Sequence, residues 1–291
     1  MRRCLLLLAL SVVVQATLAC EAPADDASRI AVAGGSLTEI LYFLDQQDRI
    51  VAVDSTSNFP EEASQFPSVG YVRALSAEGV LSLAPTLVLG EDDMGPPAVL
   101  SQLESTGVPS VMVPEVHTAD GIVSKIRCVA SVLGISEEAE VIIESELADE
   151  LAALSEIQAR QPGRKPRGAV LLGLRDGSPL GAGANTSGNG LLEMAGAENV
   201  LAGFDGWKPL SLEAMIAADP EFIVIPTRGL NDAGGHSALL DQPGINLTTA
   251  ARDGRLIDMD GMTMLGFGPR TLSAAVELAA KLQSGELTTA Q

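Results

Sequence analysis

Few residues of this chain can carry chemistry, because its 291 residues include only two histidines, two tyrosines, one tryptophan and three cysteines. Tyr71 and Arg73 stand two residues apart and form the most suggestive pair. A phenolate is a hard oxygen donor that suits ferric iron, including haem iron. A nearby cation favours the ionised form of a phenol, and Arg73 and Arg228 are the candidates for that cation. The spacing leaves two interpretations open: Tyr71 is a metal ligand, or it is an ordinary half-buried aromatic residue of a cleft.

The sequence lacks the patterns of common enzyme and metal sites. Nucleophilic catalysis needs a nucleophile beside a base, but the only histidines are His117 and His236, and no Gly-x-Ser-x-Gly motif is present. Nothing resembles HExxH, CxxC or GxGxxG, and the glycine-rich loop at residues 181–190 is not followed by Gly-Lys-Ser/Thr. Two histidines also argue against a zinc or manganese site. We therefore predict a binding protein, with an envelope enzyme on a two-lobed α/β scaffold as the alternative from another class.

The composition is that of a globular, strongly acidic protein. Hydrophobic residues make up 46% of the chain, and its length suffices for two modest domains. The formal net charge of -20 makes nucleic acid and anionic membrane surfaces poor partners. An anionic ligand would need a local basic cluster. We expect a monomer.

Residues 1–19 have the pattern of an export signal peptide. Arg2 and Arg3 precede an apolar core at residues 5–14, and small residues follow at the cleavage site. The apolar core is too short to span a bilayer, and no later segment is long enough. We expect the mature protein in the periplasm or at the outer face of the cell envelope.

Cys20 follows the predicted cleavage site and leaves two modes of export open. The sequence TLAC resembles a lipobox, although Thr17 stands where leucine is usual. The protein is then either lipid-anchored through Cys20 or released free into the periplasm. Residues 20–28 are acidic and predict a flexible tether. Cys128 is predicted to be a small buried residue of an amphipathic helix, and its spacing gives no support to a disulfide with Cys20.

A stretch at residues 68–90 returns later in the chain. It contains a helical turn that Pro85 ends, followed by a short buried strand. The matching pairs are 135 residues apart (211 − 76) and comprise Ser76 and Ser211, Glu78 and Glu213, and Pro85 and Pro220. Such a repeat predicts two related lobes with a ligand cleft between them.

Strands alternate with helices along the chain, which predicts an α/β fold with mostly parallel sheets covered on both faces. We place the amino-terminal lobe at residues 29–135 and the carboxy-terminal lobe at residues 162–291. Residues 136–161 have a serine N-cap and no glycine or proline. They predict a single rigid linking helix of roughly 35–40 Å.

Several blocks of the sequence resemble one known family. They are GGSLTEI, GYVRALSAEGVLSLAPTLVL, WKPLS-x-EA, TRGL and MLGFGPRT, and together they extend over residues 29–282. They look like the haem-binding HmuT-type proteins of bacterial haem ABC importers. The resemblance implies a class III periplasmic binding protein, with two Rossmann-like lobes joined by one long α-helix.

The resemblance also implies roles for individual residues. Tyr71 would be the axial ligand of the haem iron, and Arg228 would be the hydrogen-bond partner of its phenolate. Glu78 and Glu213 would dock on arginines of the permease dimer. A glutamate in a first helical turn also stabilises its own helix, which needs no partner.

The anionic propionates of haem need cations in this acidic protein. We expect Arg73, Lys208 and Arg175 to supply them. Some members of the family carry a histidine in the first loop of the second lobe, whereas Leu174 stands at about that place here. A second axial ligand from that loop, or a stacked pair of haems using it, is therefore not expected.

These observations predict an exported solute-binding protein that captures haem and delivers it to an ABC importer. The alternative is a binding protein of the same fold for a ferric siderophore or a corrinoid. Those ligands would use aromatic and arginine contacts without ligation by tyrosine.

Overall fold

The computed structural model describes residue 20 and residues 23–160 and 164–285, which form two α/β lobes. The predicted export signal lies outside the described residues. Within the described ranges, every helix is too short or too polar to cross a bilayer.

The amino-terminal lobe is a parallel sheet between two layers of helices. Its strands are β1 (Ile30–Ala33), β2 (Ile50–Val53), β3 (Gly70–Tyr71), β4 (Ala74–Leu75), β5 (Leu87–Glu91) and β6 (Ser110–Val113). Its helices are α1 (Gly35–Phe43), α2 (Ala77–Leu81), α3 (Pro97–Ser105) and α4 (Ala119–Leu133). The main sheet has the order β2-β1-β5-β6, with all pairs parallel. Alternate residues of β1 face opposite helical layers, since Val32 packs in the same cluster as α1 and α4, and Ala31 with α2 and α3.

Two helices, α5 (Ser136–Glu146) and α6 (Ala148–Ala159), join the lobes. The prediction of one unbroken helix is therefore corrected. The interruption falls at Leu147, which is buried and has φ −118° and ψ 0°. No glycine or proline marks the break. It arises because α5 packs against α4 whereas α6 packs against α13 (Pro269–Ser284) of the second lobe.

The carboxy-terminal lobe carries a mixed sheet. Its strands are β7 (Arg167–Arg175), β8 (Ser178–Ala182), β9 (Glu198–Asn199), β10 (Trp207–Pro209), β11 (Phe222–Pro226) and β12 (Leu256–Met259). Its other helices are α7 (Ser187–Met194), α8 (Leu212–Ala218), α9 (Thr227–Asp232), α10 (His236–Leu240), α11 (Thr249–Arg252) and α12 (Gly261–Leu265). The order is β10-β8-β7-β11-β12 with β9 beside β7, and β8 runs antiparallel to both of its neighbours.

The sequence repeat is reproduced in the structure. Ser76 and Ser211 both cap their helices, each accepting a hydrogen bond from the backbone N–H three residues on. The strands β5 and β11 start 135 residues apart (222 − 87), and each is an interior strand of its parallel set. Ala84 and Asp219, which precede the matched prolines, both have positive φ. The repeat thus extends to backbone conformation.

The described residues of the predicted tether, residue 20 and residues 23–28, are held against the first lobe, in contrast to the free tether that their composition predicted. Cys20 is joined to Cys128 of α4 by a disulfide with a Cα–Cα distance of 5.2 Å. The backbone N–H of Ala24 donates to the carbonyl of Val132 at 3.0 Å, and Ala27 is buried. These contacts hold the described part of the segment against α4.

The two lobes share one apolar core. A single cluster of buried side chains includes Leu37 and Ile126 of the first lobe together with Leu191 and Leu272 of the second. Arg270, at the start of α13, adds a polar link, because its backbone N–H and its Nε both donate to Glu39 of α1 at 2.8 Å.

Candidate functional site: the cleft between the lobes

A cavity of about 770 Å³ lies between the lobes, at the carboxyl ends of the parallel strands. Sites in open α/β sheets are typically found at this edge. The loops that line it include Ser55 and Thr56 after β2, Glu91 to Asp93 at the end of β5, Glu115 and His117 after β6, Asn185 to Ser187 after β8, Thr227 to Gly229 after β11, and Asp260 to Met262 after β12. The volume falls within the roughly 300–1,000 Å³ typical of small-molecule sites.

Tyr71 is carried into the cleft by a two-stranded hairpin, in which Tyr71 of β3 pairs with Ala74 of β4. Val72 in the connecting turn is buried and anchors the hairpin, while Tyr71 remains 42% exposed. Gly70 has φ 93°, a conformation that favours glycine, and its carbonyl accepts the N–H of Ser55 at 2.7 Å. The buried Val72 and the hydrogen bond at Gly70 therefore hold the hairpin in place, while the phenol of Tyr71 remains exposed to solvent.

The phenol oxygen accepts a hydrogen bond from Arg73 Nη1 at 3.1 Å. The same guanidinium contacts Asp93, with Nε donating to Oδ2 at 2.6 Å and Nη2 also bonded to that oxygen. Burial has the largest single effect and lowers the pKa of the Arg73 guanidinium, but the hydrogen bond and the charge of Asp93, together with the charges of Tyr71 and Glu91, outweigh burial and raise this pKa. The cleft thus presents an oxygen donor beside a permanently charged hydrogen-bond donor.

Arg228 lies on the opposite wall, in the first turn of α9. Its side chain is 93% exposed, and its nearest acidic partner is Asp232 at 3.9 Å. In this conformation the hydrogen bond to the phenol oxygen comes from Arg73. Trp207 also lines this wall and adds an aromatic surface.

The predicted basic trio does not converge. Arg73 lines the cleft, whereas Lys208 and Arg175 are absent from the described lining. The ammonium of Lys208 lies 5.4 Å from the ring centroid of Phe204. Arg175 ends β7 beside the turn Asp176-Gly177, where both residues have positive φ. An Asp-Gly pair is a strong hairpin signal, and it predicts this exposed turn in place of a ligand loop.

A buried ionic network forms one side of the cleft floor. Lys125 of α4 is fully buried, and its Nζ donates to Glu115 at 2.5 Å, to Ser36 at 2.7 Å and to the carbonyl of Gly266 at 3.4 Å. Glu115 also bonds His117 at 2.9 Å. Burial raises the pKa of Glu115, but His117 and Lys125 together lower it below the usual value.

Glu91 lines the cleft next to this network and differs from Glu115. Its carboxylate accepts a hydrogen bond from Ser36 at 2.7 Å. Burial raises the pKa of Glu91, and the charge of Lys125 and the Ser36 hydroxyl only partly oppose this effect. The protonated form of Glu91 is therefore favoured relative to an exposed glutamate.

Negative charge dominates the described lining of the cleft, which contains six carboxylates and two arginines. The carboxylates belong to Glu91, Asp92, Asp93, Glu115, Asp232 and Asp260. Among the described residues, no group of three His, Cys, Asp or Glu side chains is placed to hold a bare metal ion.

Glu78 and Glu213 are exposed in the first turns of α2 and α8, outside the cleft lining. Neither carboxylate forms a salt bridge with a described residue. Hydrogen bonds from its own backbone N–H and from Ser211 lower the pKa of Glu213, against a weaker effect of burial.

Sequence reasoning missed the cleft-floor network and Asp93. Lys125 lies three residues after Ile122 and four before Val129 (125 − 122 and 129 − 125), so it sits on the apolar face of α4, and that position was a readable signal. Asp93 had no such signal, because its proximity to Arg73 depends on how the loop after β5 meets the Tyr71 hairpin.

A sequence model of the family described as periplasmic binding protein matches residues 30–263. A solved structure described as the periplasmic haem-binding protein BhuT in complex with two haems has a TM-score of 0.82 and 37% identity. The match covers 88% of this chain and 98% of that chain.

Curated relatives carry other descriptions. An uncharacterized ABC transporter substrate-binding lipoprotein of Bacillus subtilis (strain 168) is 26% identical over 249 residues, covering 84% of this chain and 76% of the relative. A vitamin B12-binding protein of Yersinia pestis (strain Pestoides F) is 27% identical over 205 residues, covering 70% of this chain and 71% of the relative.

Replacing the partly buried Glu91 by glutamine should stabilise the protein at high pH. Its pKa is raised in the folded state, so its ionisation costs stability. This cost is absent at pH values below the pKa of Glu91 in the unfolded chain, and it is fully present at pH values above the pKa of Glu91 in the folded protein. Glu91→Gln should therefore raise the melting temperature at pH 8 relative to wild type, by roughly 2–4 °C for a cost of ~1 kcal/mol, and have little effect at pH 4. Exposed Glu104→Gln is the matched control, and an equal response of both variants at both pH values would contradict the argument.

Proposed function

The chain belongs to the periplasmic binding protein family, and we propose that it captures haem in the cleft between its lobes and delivers it to an ABC importer. It is a binding component located in the periplasm and not an enzyme. The observation that carries the proposal is the exposed phenol of Tyr71, which faces the cleft with Arg73 hydrogen-bonded to its oxygen.

The chemistry of Tyr71 supports haem as the ligand. Tyrosine is one of the side chains that ligate haem iron, and a phenolate oxygen suits the ferric state. The cleft supplies this oxygen from one lobe and the indole of Trp207 from the other. Similarity to a haem-bound protein at 37% identity points to the same ligand class.

Arg228 remains a candidate partner of the phenolate or of a propionate. Its exposed side chain projects from the wall opposite Tyr71, and among the described residues its ion-pair partner is Asp232 at 3.9 Å, a weak pair. A long side chain with this freedom can reorient toward an anion at little cost. The predicted propionate contacts of Lys208 and Arg175 are not carried into the proposal, because neither residue lines the cleft.

A corrinoid is the second candidate. The excess of carboxylates in the described lining disfavours an anionic ligand, and a relative is described as a vitamin B12-binding protein. A corrinoid would leave Tyr71 without a bond to a ferric ion. The visible spectrum after addition of hemin therefore distinguishes the two candidate ligands.

Tyr71→Phe should abolish the ferric tyrosinate spectrum on hemin titration. The change removes the oxygen donor and keeps the ring, so hemin affinity should fall by at least about tenfold, which corresponds to ~1.4 kcal/mol. Wild type should show a tyrosinate-to-iron charge-transfer band in the visible range.

Tyr42→Phe is the matched control for this titration, because Tyr42 is the other tyrosine and lies in α1, away from the described cleft lining. An unchanged hemin spectrum and affinity in Tyr71→Phe would refute the assignment. Tight binding of cobinamide by wild type with no hemin band would favour the corrinoid.

We infer that Glu78 and Glu213 contact the permease. One carboxylate stands in each lobe at matched positions of the repeat, exposed and without a salt bridge to a described residue. Two like charges presented in this way suit a permease dimer with arginines on each half. Helix stabilisation alone explains either glutamate, at typically about 0.3–1 kcal/mol, so only transport distinguishes the two roles.

The double variant Glu78→Gln/Glu213→Gln should bind hemin like wild type and melt almost normally, yet lose most haem delivery to the permease in vesicles. The control removes two exposed glutamates elsewhere, one in each lobe, as Glu104→Gln/Glu198→Gln. Full uptake by the first variant would assign its glutamates to helix stabilisation only.

We further propose that the mature protein is released without a lipid anchor. The sulfur of Cys20 is bonded to Cys128, and one sulfur cannot also form a lipid thioether. The described residues of the segment that follows lie against α4 and do not lead away from the lobe. The description of the Bacillus subtilis relative as a lipoprotein favours the opposite outcome, so the point needs a direct measurement.

Intact-mass analysis of protein purified from the cell envelope should show no acyl chains and no free thiol. Reduction should then expose two thiols and lower the free energy of unfolding by about 4–5 kcal/mol, the entropic expectation for a loop of about 100 residues. Cys128→Ser should leave Cys20 open to alkylation. A diacylglycerol-modified Cys20 in wild type would establish the anchored form.

A further inference from the structure

The loop after β5 brings a carboxylate against the outer edge of the Tyr71 hairpin. We propose that Asp93 is a positioning residue: it orients Arg73 so that one guanidinium nitrogen is aimed at the phenol oxygen that ligates iron. This inference rests on the proposed haem function. It assigns Asp93 a role that is exerted through Arg73.

The position of Asp93 is set by the backbone. The N–H of Gly95 donates to the carbonyl of Val72 at 3.0 Å, and the N–H of Leu75 donates to the carbonyl of Gly95 at 2.9 Å. Met94, which lies between Asp93 and Gly95, is buried. The loop is thus tied to the hairpin that carries Tyr71 by two backbone hydrogen bonds at Gly95, two residues after Asp93. Asp93 does not need to be ordered by its own ion pair.

Arg73 does need such ordering. Its side chain is 60% exposed, and a free arginine carries substantial rotamer entropy. Asp93 Oδ2 accepts both Nε and Nη2, which occupy one edge of the planar guanidinium. Because the group is rigid, fixing that edge also fixes Nη1, which donates to Tyr71 Oη at 3.1 Å. The three residues therefore form a directed chain from carboxylate to guanidinium to phenol.

The hydrogen bonds from Asp93 through Arg73 to Tyr71 predict an effect of Asp93 on haem ligation that its negative charge alone would not have. A carboxylate near the cleft should weaken binding of an anionic ligand, and Asp92 and Asp93 share that effect because both line the cleft. Asp93 alone among this pair contacts Arg73. Removing its charge should therefore relieve repulsion and, at the same time, release the donor that stabilises the phenolate. We expect the second effect to dominate, since hydrogen bonds to charged groups contribute more than exposed charge pairs.

The test compares Asp93→Asn with Asp92→Asn, which removes the same charge one residue away. Hemin affinity and the tyrosinate-to-iron band are measured for wild type and both variants, together with the pH at which haem is released. Asp92→Asn should bind hemin equally or slightly more tightly. Asp93→Asn should bind about tenfold more weakly, with a shifted charge-transfer band and haem release at higher pH.

The same pair of substitutions is then made in Arg73→Gln. If Asp93 acts through Arg73, Asp93→Asn in that background should have no more effect than Asp92→Asn. Matching behaviour of Asp93→Asn and Asp92→Asn in the wild-type background would overturn the positioning role alone. A persistent loss in the Arg73→Gln background would also overturn it, because Asp93 would then act independently of Arg73. Absence of the charge-transfer band from wild type would overturn the haem function as well. Melting curves of all variants check that these exposed substitutions leave the fold intact.

Discussion

One segment of the second lobe packs into the first lobe and holds the two lobes in a fixed arrangement. Residues 266–270 cross the boundary between the lobes. Lys125 binds the carbonyl of Gly266, and Arg270 is held by Glu39. Phe267 is fully buried and meets the ring of His117 at 4.8 Å between centroids. Glu39 is buried, so loss of Arg270 would leave its carboxylate without this partner, and the boundary therefore resists opening.

One residue of this boundary, Phe267, has an unfavourable backbone conformation. Phe267 has φ 49°, a conformation that costs a residue other than glycine roughly 1–2 kcal/mol. Gly190 of α7 is equally constrained, because a Cβ there would lie 2.4 Å from the carbonyl oxygen of His117. These contacts, together with the shared apolar core, fix the distance between the two walls of the cleft. A ligand therefore enters a site whose oxygen donor and aromatic wall are already in place, which lowers the ordering cost of binding.

The charge of the cleft explains why ligation and local donors matter more here than overall attraction. The protein carries a net charge of -20, and carboxylates outnumber arginines in the described lining. Haem propionates gain nothing from this field. Part of the negative charge of the cleft is neutralised locally. The ammonium of Lys125 is paired with the carboxylate of Glu115 and also contacts Ser36, and burial favours the protonated form of Glu91. In the proposed mode of haem binding, the attractive interactions are specific: an iron–oxygen bond at Tyr71 and hydrogen bonds from Arg73 and Arg228.

The sequence by itself determined the repeat and the α/β class. Both depend on local patterns: serine caps, a proline that ends a helix, and the alternation of strands with helices. Only the tertiary structure decided that Asp93 reaches Arg73, that Glu39 binds Arg270 and that Cys20 joins Cys128. These pairs are 20, 231 and 108 residues apart. Their contacts follow from how the loop after β5, the two lobes and the amino-terminal segment pack, and no local pattern encodes that packing. The same reason explains the break at Leu147, where two packing partners override a sequence that would otherwise continue as one helix.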